Sequence, residues 1–418
     1  MQDNNYDICL ISFSDLALDG RSRNFINAFK LLGKSVLTIS LASLNKELNP
    51  PVANSPLKKG AGGCDCKELK PSDKNSPLKK GVGGCDCKGL KPFVAEDDSI
   101  QININTNQRF FRQWIEFIKN GKKLKSQFSA SLYFASDLYA LALAVKLANK
   151  NTVVIYDSRE VFSALGPMHN DSFKQNIISQ IEKRLIRRVD KFIASGELDR
   201  EFLIKHFRTN KPFYVIKNFP FYTSPINSNL LREKFQIEKS KKILLYQGVL
   251  LEGRGIMPML NLAKLRDDIA ICLIGDGKFR TNIDNYTKLN ELHSKVHLTG
   301  NIEYSQLHTW TCSADIGMAL IEPISFSYEL ALPNKLFEYL QAGLPVISTD
   351  LPAMKDVIEK YHCGIAVSKN LFIDEISRAI DEILNNYEYY HSNALIAAKD
   401  LCFDKQIEII REIITITQ

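Results

Sequence analysis

Short apolar runs alternate with stretches of helical period along most of this chain, and around residue 220 the alternation pauses and then begins again. The first series runs through DICLISF (7–13), SVLTISL (35–41), SIQININ (99–105), SLYFASD (131–137), TVVIYD (152–157), KFIASGE (191–197) and FYVIKNFP (213–220). The second runs through KILLYQG (242–248), IAICLIGDG (269–277), VHLTG (296–300) and DIGMALI (315–321), and the chain closes in helical pattern from about 373 to 416. Strands that alternate with helices build a parallel sheet covered on both faces. A chain of 418 residues is too long for one ordinary core and suits two. The expected fold is α/β, with two tandem Rossmann-like doubly wound domains and an interdomain cleft. Residues 1–220 read as the first domain, 221–240 as the connection and 241–400 as the second domain. Residues 401–418 read as a C-terminal helix that packs back on the first.

One segment interrupts the pattern. NSPLKKGAGGCDCKELKP (54–71) returns almost unchanged as NSPLKKGVGGCDCKGLKP (75–92). Gly, Pro and Lys dominate both copies, so neither can build a core. Two Cys-x-Cys pairs (Cys64, Cys66, Cys85 and Cys87) could supply four thiolates, but the spacing is not that of a zinc site and no His lies near. Residues 45–98 therefore read as a flexible insertion, which long surface loops tolerate at small entropic cost. The other cysteines (Cys9, Cys272, Cys312, Cys363 and Cys402) stand singly and read as small buried hydrophobes of a reducing compartment. No apolar run is long enough to span a bilayer and no signal pattern opens the chain, so a cytoplasmic protein is expected. A net charge of +7 is too small and too spread to indicate nucleic acid; it suits anionic small molecules or an anionic membrane surface.

The second domain carries the sharpest local signals. In LPNKLFEYLQAGLPVIS (332–348), Pro333 suits a first helical turn and Gly343 a helix end. Leu336, Phe337 and Leu340 share one face, and Lys335 and Glu338 lie three apart on another. Free first-turn N–H groups at Asn334, Lys335 and Leu336, with the Lys335 ammonium, suit a phosphate. Glu338, one turn on, suits a pair of hydroxyls such as a ribose diol. The competing expectation is a solvated ion pair between Lys335 and Glu338. In LLYQGVLLEGRGIMPML (244–260), Gly248 ends a strand and Arg254 sits between glycines, placed to fork onto a diphosphate. Gly275 and Gly277 end the next strand, and Thr299-Gly300 the one after.

Taken together, these segments resemble the GT-B glycosyltransferases of glycosyltransferase family 4, of the group 1, bacterial surface-polysaccharide type. PNKLFEYLQAGLPVISTDLPAMKDVI (333–358) is the most specific part; YQGVLLEGRG, IGDG and LTGN precede it in the expected order, and YFASDLYALALAVKLA and VIYDSREVF resemble the first domain. The resemblance implies transfer of a sugar from a nucleoside-diphosphate donor, with retention at the anomeric carbon and without metal or other cofactor. It implies that Arg254 and Lys335 hold the diphosphate and that Glu338 takes the ribose hydroxyls. The family pairs two glutamates eight residues apart; eight back from Glu338 is Leu330, and Glu329 is its neighbour and the candidate to serve the sugar. Ser136 stands where the family commonly has His. Asp157, Ser158, Arg159 and Glu160 stand where it often has Asp-x-His-Glu.

On the acceptor side the candidates are Arg21, Asp157, Arg159 and Glu160, with Arg21 expected in an exposed loop and His169 a weaker candidate. QRFFRQWIEFIKNGKKLK (108–125) places Phe110, Phe111, Trp114, Phe117 and Ile118 at helical spacing among basic residues. It reads either as a core helix with a solvated face or as a basic amphipathic helix on the inner face of a membrane, where a lipid-linked acceptor would sit. The activity expected is that of a glycosyltransferase acting in cell-surface polysaccharide synthesis on a glycan or lipid-linked acceptor. The rivals are a sugar-nucleotide 2-epimerase and a non-catalytic nucleotide-sugar-binding subunit.

Overall fold

The computed structural model describes residues 5–16, 19–42, 98–159, 172–324, 326–329 and 332–416. The Cys-rich repeat, Glu160, His169 and Leu330 lie outside these residues.

The first domain runs β1 (Asn5–Ile11), α1 (Gly20–Leu31), β2 (Val36–Leu41), β3 (Ser99–Ile102), α2 (Phe110–Lys122), β4 (Ser129–Ala135), α3 (Leu138–Leu147), β5 (Val153–Ser158), α4 (Ser172–Leu185), β6 (Lys191–Ala194), α5 (Glu197–Phe207) and β7 (Phe213–Val215). Its strands are parallel, in the order β3-β2-β1-β4-β5-β6-β7. The second domain runs α6 (Leu230–Phe235), β8 (Lys242–Gln247), α7 (Ile256–Leu265), β9 (Ile269–Ile274), α8 (Arg280–Leu289), β10 (Val296–Gly300), α9 (Tyr304–Thr311), β11 (Ile316–Ala319), α10 (Phe326–Glu329), α11 (Asn334–Gln341), β12 (Val346–Thr349), α12 (Pro352–Tyr361), β13 (Gly364–Val367), α13 (Ile373–Asn385), α14 (Tyr387–Asp400) and α15 (Ile407–Ile414). Its parallel order is β10-β9-β8-β11-β12-β13.

Each sheet is buried on both faces, which is why its strands read as apolar runs without alternation. Cys9 and Ile11 of β1 join one cluster with α2 and α3; Ile8 and Leu10 join the opposite cluster with α1. That second cluster also holds Phe403, Ile410, Ile413 and Ile414, so the end of the chain packs on the first domain. The Phe403 ring meets Phe25 edge-on at 5.6 Å, and the Lys191 ammonium donates to the carbonyls of Ile413 and Thr415 at 2.8 Å. Burying one phenylalanine in this way contributes roughly 1.5–3 kcal/mol.

Several local expectations change. The run at 213–220 is a strand only over Phe213–Val215, and the connection contains α6. β13 and α12 were not legible as separate elements. Arg21 lies in α1, not in an exposed loop, and is 5% exposed. Cys312 is half-buried, whereas the other four single cysteines are buried. The α2 helix does contribute to the core, and its other face is exposed. Trp114 and Phe117 are core residues, while Phe110, Phe111 and Ile115 face outward beside basic side chains.

Candidate active site

In a parallel open sheet, the crevice forms beyond the strands' carboxyl ends, where the chain order turns back. In the second sheet that point lies between β8 and β11, because β8 leads outward to β9 and β10 and the chain then returns to β11. The backbone there is pulled unusually tight. Gly248 donates to the Ile274 carbonyl, and Gly275 donates to Gly300. Gly275 has φ +130°, and a methyl group on it would stand 2.0 Å from the Gly248 carbonyl oxygen. Gly255 has φ +69° and lies so close to Leu320 that a side chain would enter that residue's backbone. Only glycine fits either place. Gly277 lies under Leu250, which donates to Asp276.

Around this crevice the structure brings together Arg254, Lys335 and Glu338. Arg254 follows β8 and lies over the Tyr328 ring at 4.4 Å; among the described residues it has no carboxylate partner. Lys335 sits in the first turn of α11. Its ammonium is buried, lies 3.7 Å from the centre of the Tyr246 ring and has no hydrogen-bond partner among the described residues. Burial, reinforced by the Arg254 charge and opposed by Glu338, holds Lys335 well below the usual lysine range. The solvated Lys335–Glu338 pair is thus not what forms. The Glu338 carboxylate instead accepts from Gln247 Nε2. Burial raises the Glu338 pKa, while the Gln247 hydrogen bond and Lys335 oppose the rise. A buried ammonium without a partner is destabilising unless something anionic arrives. Two cations beside the start of a helix are chemically suited to an anionic group. The Glu338 carboxylate lies one helical turn on from Lys335.

The helix that carries these groups is tied to the connection between domains. Asn218 Nδ2 donates to Asn334 at 2.6 Å, the Thr223 N–H donates to Gln341 at 2.6 Å, and the Phe219 and Phe337 rings meet at 4.6 Å. Across the cleft, Arg23 of α1 lies on the Tyr304 ring at 4.4 Å. Tyr304 is 44% exposed as a whole, yet desolvation of its hydroxyl and then the Glu338 carboxylate push its pKa up to about 12 against the Arg23 charge. Glu322, just past β11, accepts from the Gly255 N–H at 3.3 Å. Glu329 ends the short helix α10 and is half-buried.

Gln247, Tyr304 and Glu322 were not picked out from sequence. A polar residue closing the apolar strand ILLYQ was the available signal for Gln247. Among the described residues no group of three or more His, Cys, Asp or Glu is placed to hold a metal ion.

In the first domain the ends of β1, β4 and β5 carry a buried polar cluster. Arg21 grips Asp157 with two nitrogens at 2.6 and 2.8 Å and donates to the Ile216 carbonyl at 2.7 Å. Arg159 donates to Asp157, Asp19 and Ser22, and Ser22 touches Ser136 at 2.9 Å. Burial opposes ionisation of Asp19, but Arg159 and Ser22 outweigh it and lower its pKa to about 2. Arg21 and Asp157 are therefore committed to each other. Arg159 keeps a fifth of its side chain exposed.

Residues 227–399 match the family model of the glycosyl transferases group 1. No curated protein sequence matches the chain. Solved structures match over nearly its full length at low identity. Sucrose-phosphate synthase from Thermosynechococcus elongatus matches with a TM-score of 0.68 at 13% identity, over 98% of each chain. HepE from Anabaena in complex with UDP-glucose matches with a TM-score of 0.66 at 13% identity, over 98% of this chain and 99% of that one. WaaG, a glycosyltransferase involved in lipopolysaccharide biosynthesis, matches with a TM-score of 0.61 at 15% identity, over 96% and 99%. The chain has the GT-B fold of two Rossmann-like domains and a group 1 domain in its second half; it is a glycosyltransferase.

Proposed function

We propose that the chain is a retaining, metal-independent glycosyltransferase of the family 4 kind. It moves a sugar from a nucleoside diphosphate to a glycan or lipid-linked acceptor during cell-surface polysaccharide synthesis. The observation that carries the donor assignment is the buried Lys335 ammonium, without a hydrogen-bond partner among the described residues and within reach of the Arg254 charge, at the start of α11. As the bond from sugar to diphosphate breaks, negative charge gathers on the leaving group. Arg254, Lys335 and the first-turn N–H groups of Asn334, Lys335 and Leu336 stabilise it without having to reorganise. Gly248, Gly275 and Gly277 let the backbone approach the donor, Glu338 accepts the ribose hydroxyls, and Glu329 serves the sugar. The HepE complex with UDP-glucose makes that donor the first to try.

On the acceptor side the candidate is Arg159, held by Asp157, Asp19 and Ser22, with Arg21 gripping the same Asp157; Glu160, the fourth acceptor-side candidate, lies outside the described residues. The outward face of α2 supports contact with the inner face of an anionic membrane. Phe110, Phe111 and Ile115 are exposed there beside Arg109, Arg112, Lys119 and Lys122. No helix among the described residues is long and apolar enough to cross a membrane.

The test is product analysis with a panel of nucleotide sugars and glycan or lipid-linked acceptors. The expected outcome is acceptor-dependent nucleotide release, with the product keeping the donor's anomeric configuration. An epimerised nucleotide sugar released without acceptor, or an inverted product, would contradict the proposal.

A further inference from the structure

Gln247 closes β8 at the crevice, is 2% exposed, and uses every polar atom its side chain has. Its Oε1 accepts from the Thr311 hydroxyl at 2.8 Å, and its Nε2 donates to Glu338. Its backbone N–H donates to the Tyr339 hydroxyl at 3.0 Å, which fixes β8 against α11. Thr311 is itself buried, with the Leu307 carbonyl also in reach of its hydroxyl at 2.9 Å. Thr311, Gln247 and Glu338 thus form a buried relay from α9 through β8 to α11. Among the described residues the Glu338 carboxylate has no other hydrogen-bond donor.

A primary amide presents a donor at one end and an acceptor at the other, so its direction decides what it offers a neighbour. While Thr311 donates to Oε1, the Gln247 N–H points at Glu338. That bond occupies one carboxylate oxygen, favours the ionised form and, among the described residues, leaves the other oxygen without a donor. With the amide reversed, Thr311 would donate to Leu307 and accept from Nε2, and Oε1 would face Glu338. Only a protonated Glu338 satisfies that arrangement.

Resting on the donor-site assignment above, we propose that Gln247 is a positioning residue that holds Glu338 as an oriented carboxylate. The site's selection for a hydroxyl-bearing nucleoside then depends on the direction that Thr311 gives the Gln247 amide. The charged and titratable groups facing Glu338 are Lys335 and Tyr339 on its own helix and Tyr304 on α9. None of them donates to the carboxylate, so Gln247 alone sets its hydrogen bonding before a ligand arrives.

The experiment compares binding of UDP, ADP and GDP with that of their 2′-deoxy counterparts to the full chain. The variants are Gln247→Leu, Thr311→Val and Glu338→Ala. Wild type is expected to favour the ribonucleotide it binds by about 10-fold or more, the scale of a hydrogen bond to a charged group. Gln247→Leu loses that preference while its affinity for the deoxynucleotide is unchanged. Thr311→Val loses part of it. The low-pH loss of ribonucleotide binding also moves to higher pH in Gln247→Leu, because a bond favouring the carboxylate is gone; a merely structural role would not move it. If Gln247→Leu does not fold, Thr311→Val reads the same ratio. Equal discrimination in wild type, Gln247→Leu and Thr311→Val, with Glu338→Ala deficient, overturns the role of Gln247 and leaves the donor site standing. A wild type that binds none of the nucleotides overturns both.

Discussion

Lys335→Met is expected to reduce sugar transfer by about 10²–10³-fold, the usual effect of removing one preorganised charge-stabilising group. The same change leaves the fold as stable or raises stability by about 1–3 kcal/mol, because it replaces a buried unpaired cation with an apolar chain of similar length. Among the described residues the wild-type ammonium has no hydrogen-bond partner and lies against the Tyr246 ring. Activity and stability moving in opposite directions mark a group kept for its ligand. A loss of several kcal/mol with turnover intact would instead make Lys335 a structural residue. A pH signature accompanies the change. Burial and the Arg254 charge depress the folded-state pKa of Lys335. Between that depressed value and the unfolded lysine value of about 10.4, the unfolded chain holds the extra proton. Stability gains from rising pH across that window. Chemical denaturation of Lys335→Met at several pH values should show that component missing.

Asp157→Ala should destabilise the first domain by about 3–5 kcal/mol. Asp157 is fully buried and accepts from both Arg21 and Arg159. Removing it leaves Arg21, itself 4% exposed at the side chain, with the Ile216 carbonyl as its one remaining hydrogen-bond acceptor among the described residues, beside the Phe25 ring. That carbonyl belongs to the segment leading out of the first sheet, so the connection to the second domain loosens too. Removing both charges as Arg21→Met with Asp157→Leu should recover most of the loss, since no uncompensated charge is then left buried. The two tryptophans, Trp114 in α2 and Trp310 in α9, report on different domains. With Trp310→Phe as background, fluorescence-monitored denaturation reads the first domain. A change under about 1 kcal/mol, as for an exposed pair, would contradict this account of the cluster.

What was legible in the sequence was local. Pro333 stands as the extended N-cap just ahead of α11, one residue before the first turn expected for it, and Gly343, at φ +72°, does follow the helix's end, because capping chemistry acts within a few residues. The restart of the strand–helix pattern gave both sheets for the same reason. Burial by a distant element was not legible. Helical spacing puts Lys335 off the apolar face of α11, yet Tyr246 of β8 covers it. Arg21 and Asp157 are 136 positions apart, and nothing near Arg21 in sequence announces its partner. β13 is four residues long and follows His362 in a left-handed turn, too short a run for alternation to register.

Thermal unfolding of wild type and Glu338→Ala, with a panel of nucleoside diphosphates and their sugars, tests the donor site most directly. A ligand at ~100 times its dissociation constant stabilises by roughly 2.7 kcal/mol. The expected result is an upward shift with one base in wild type, absent or strongly reduced in Glu338→Ala. No shift with any nucleotide, or an equal shift in the variant, would contradict a donor site at the β8–β11 crevice.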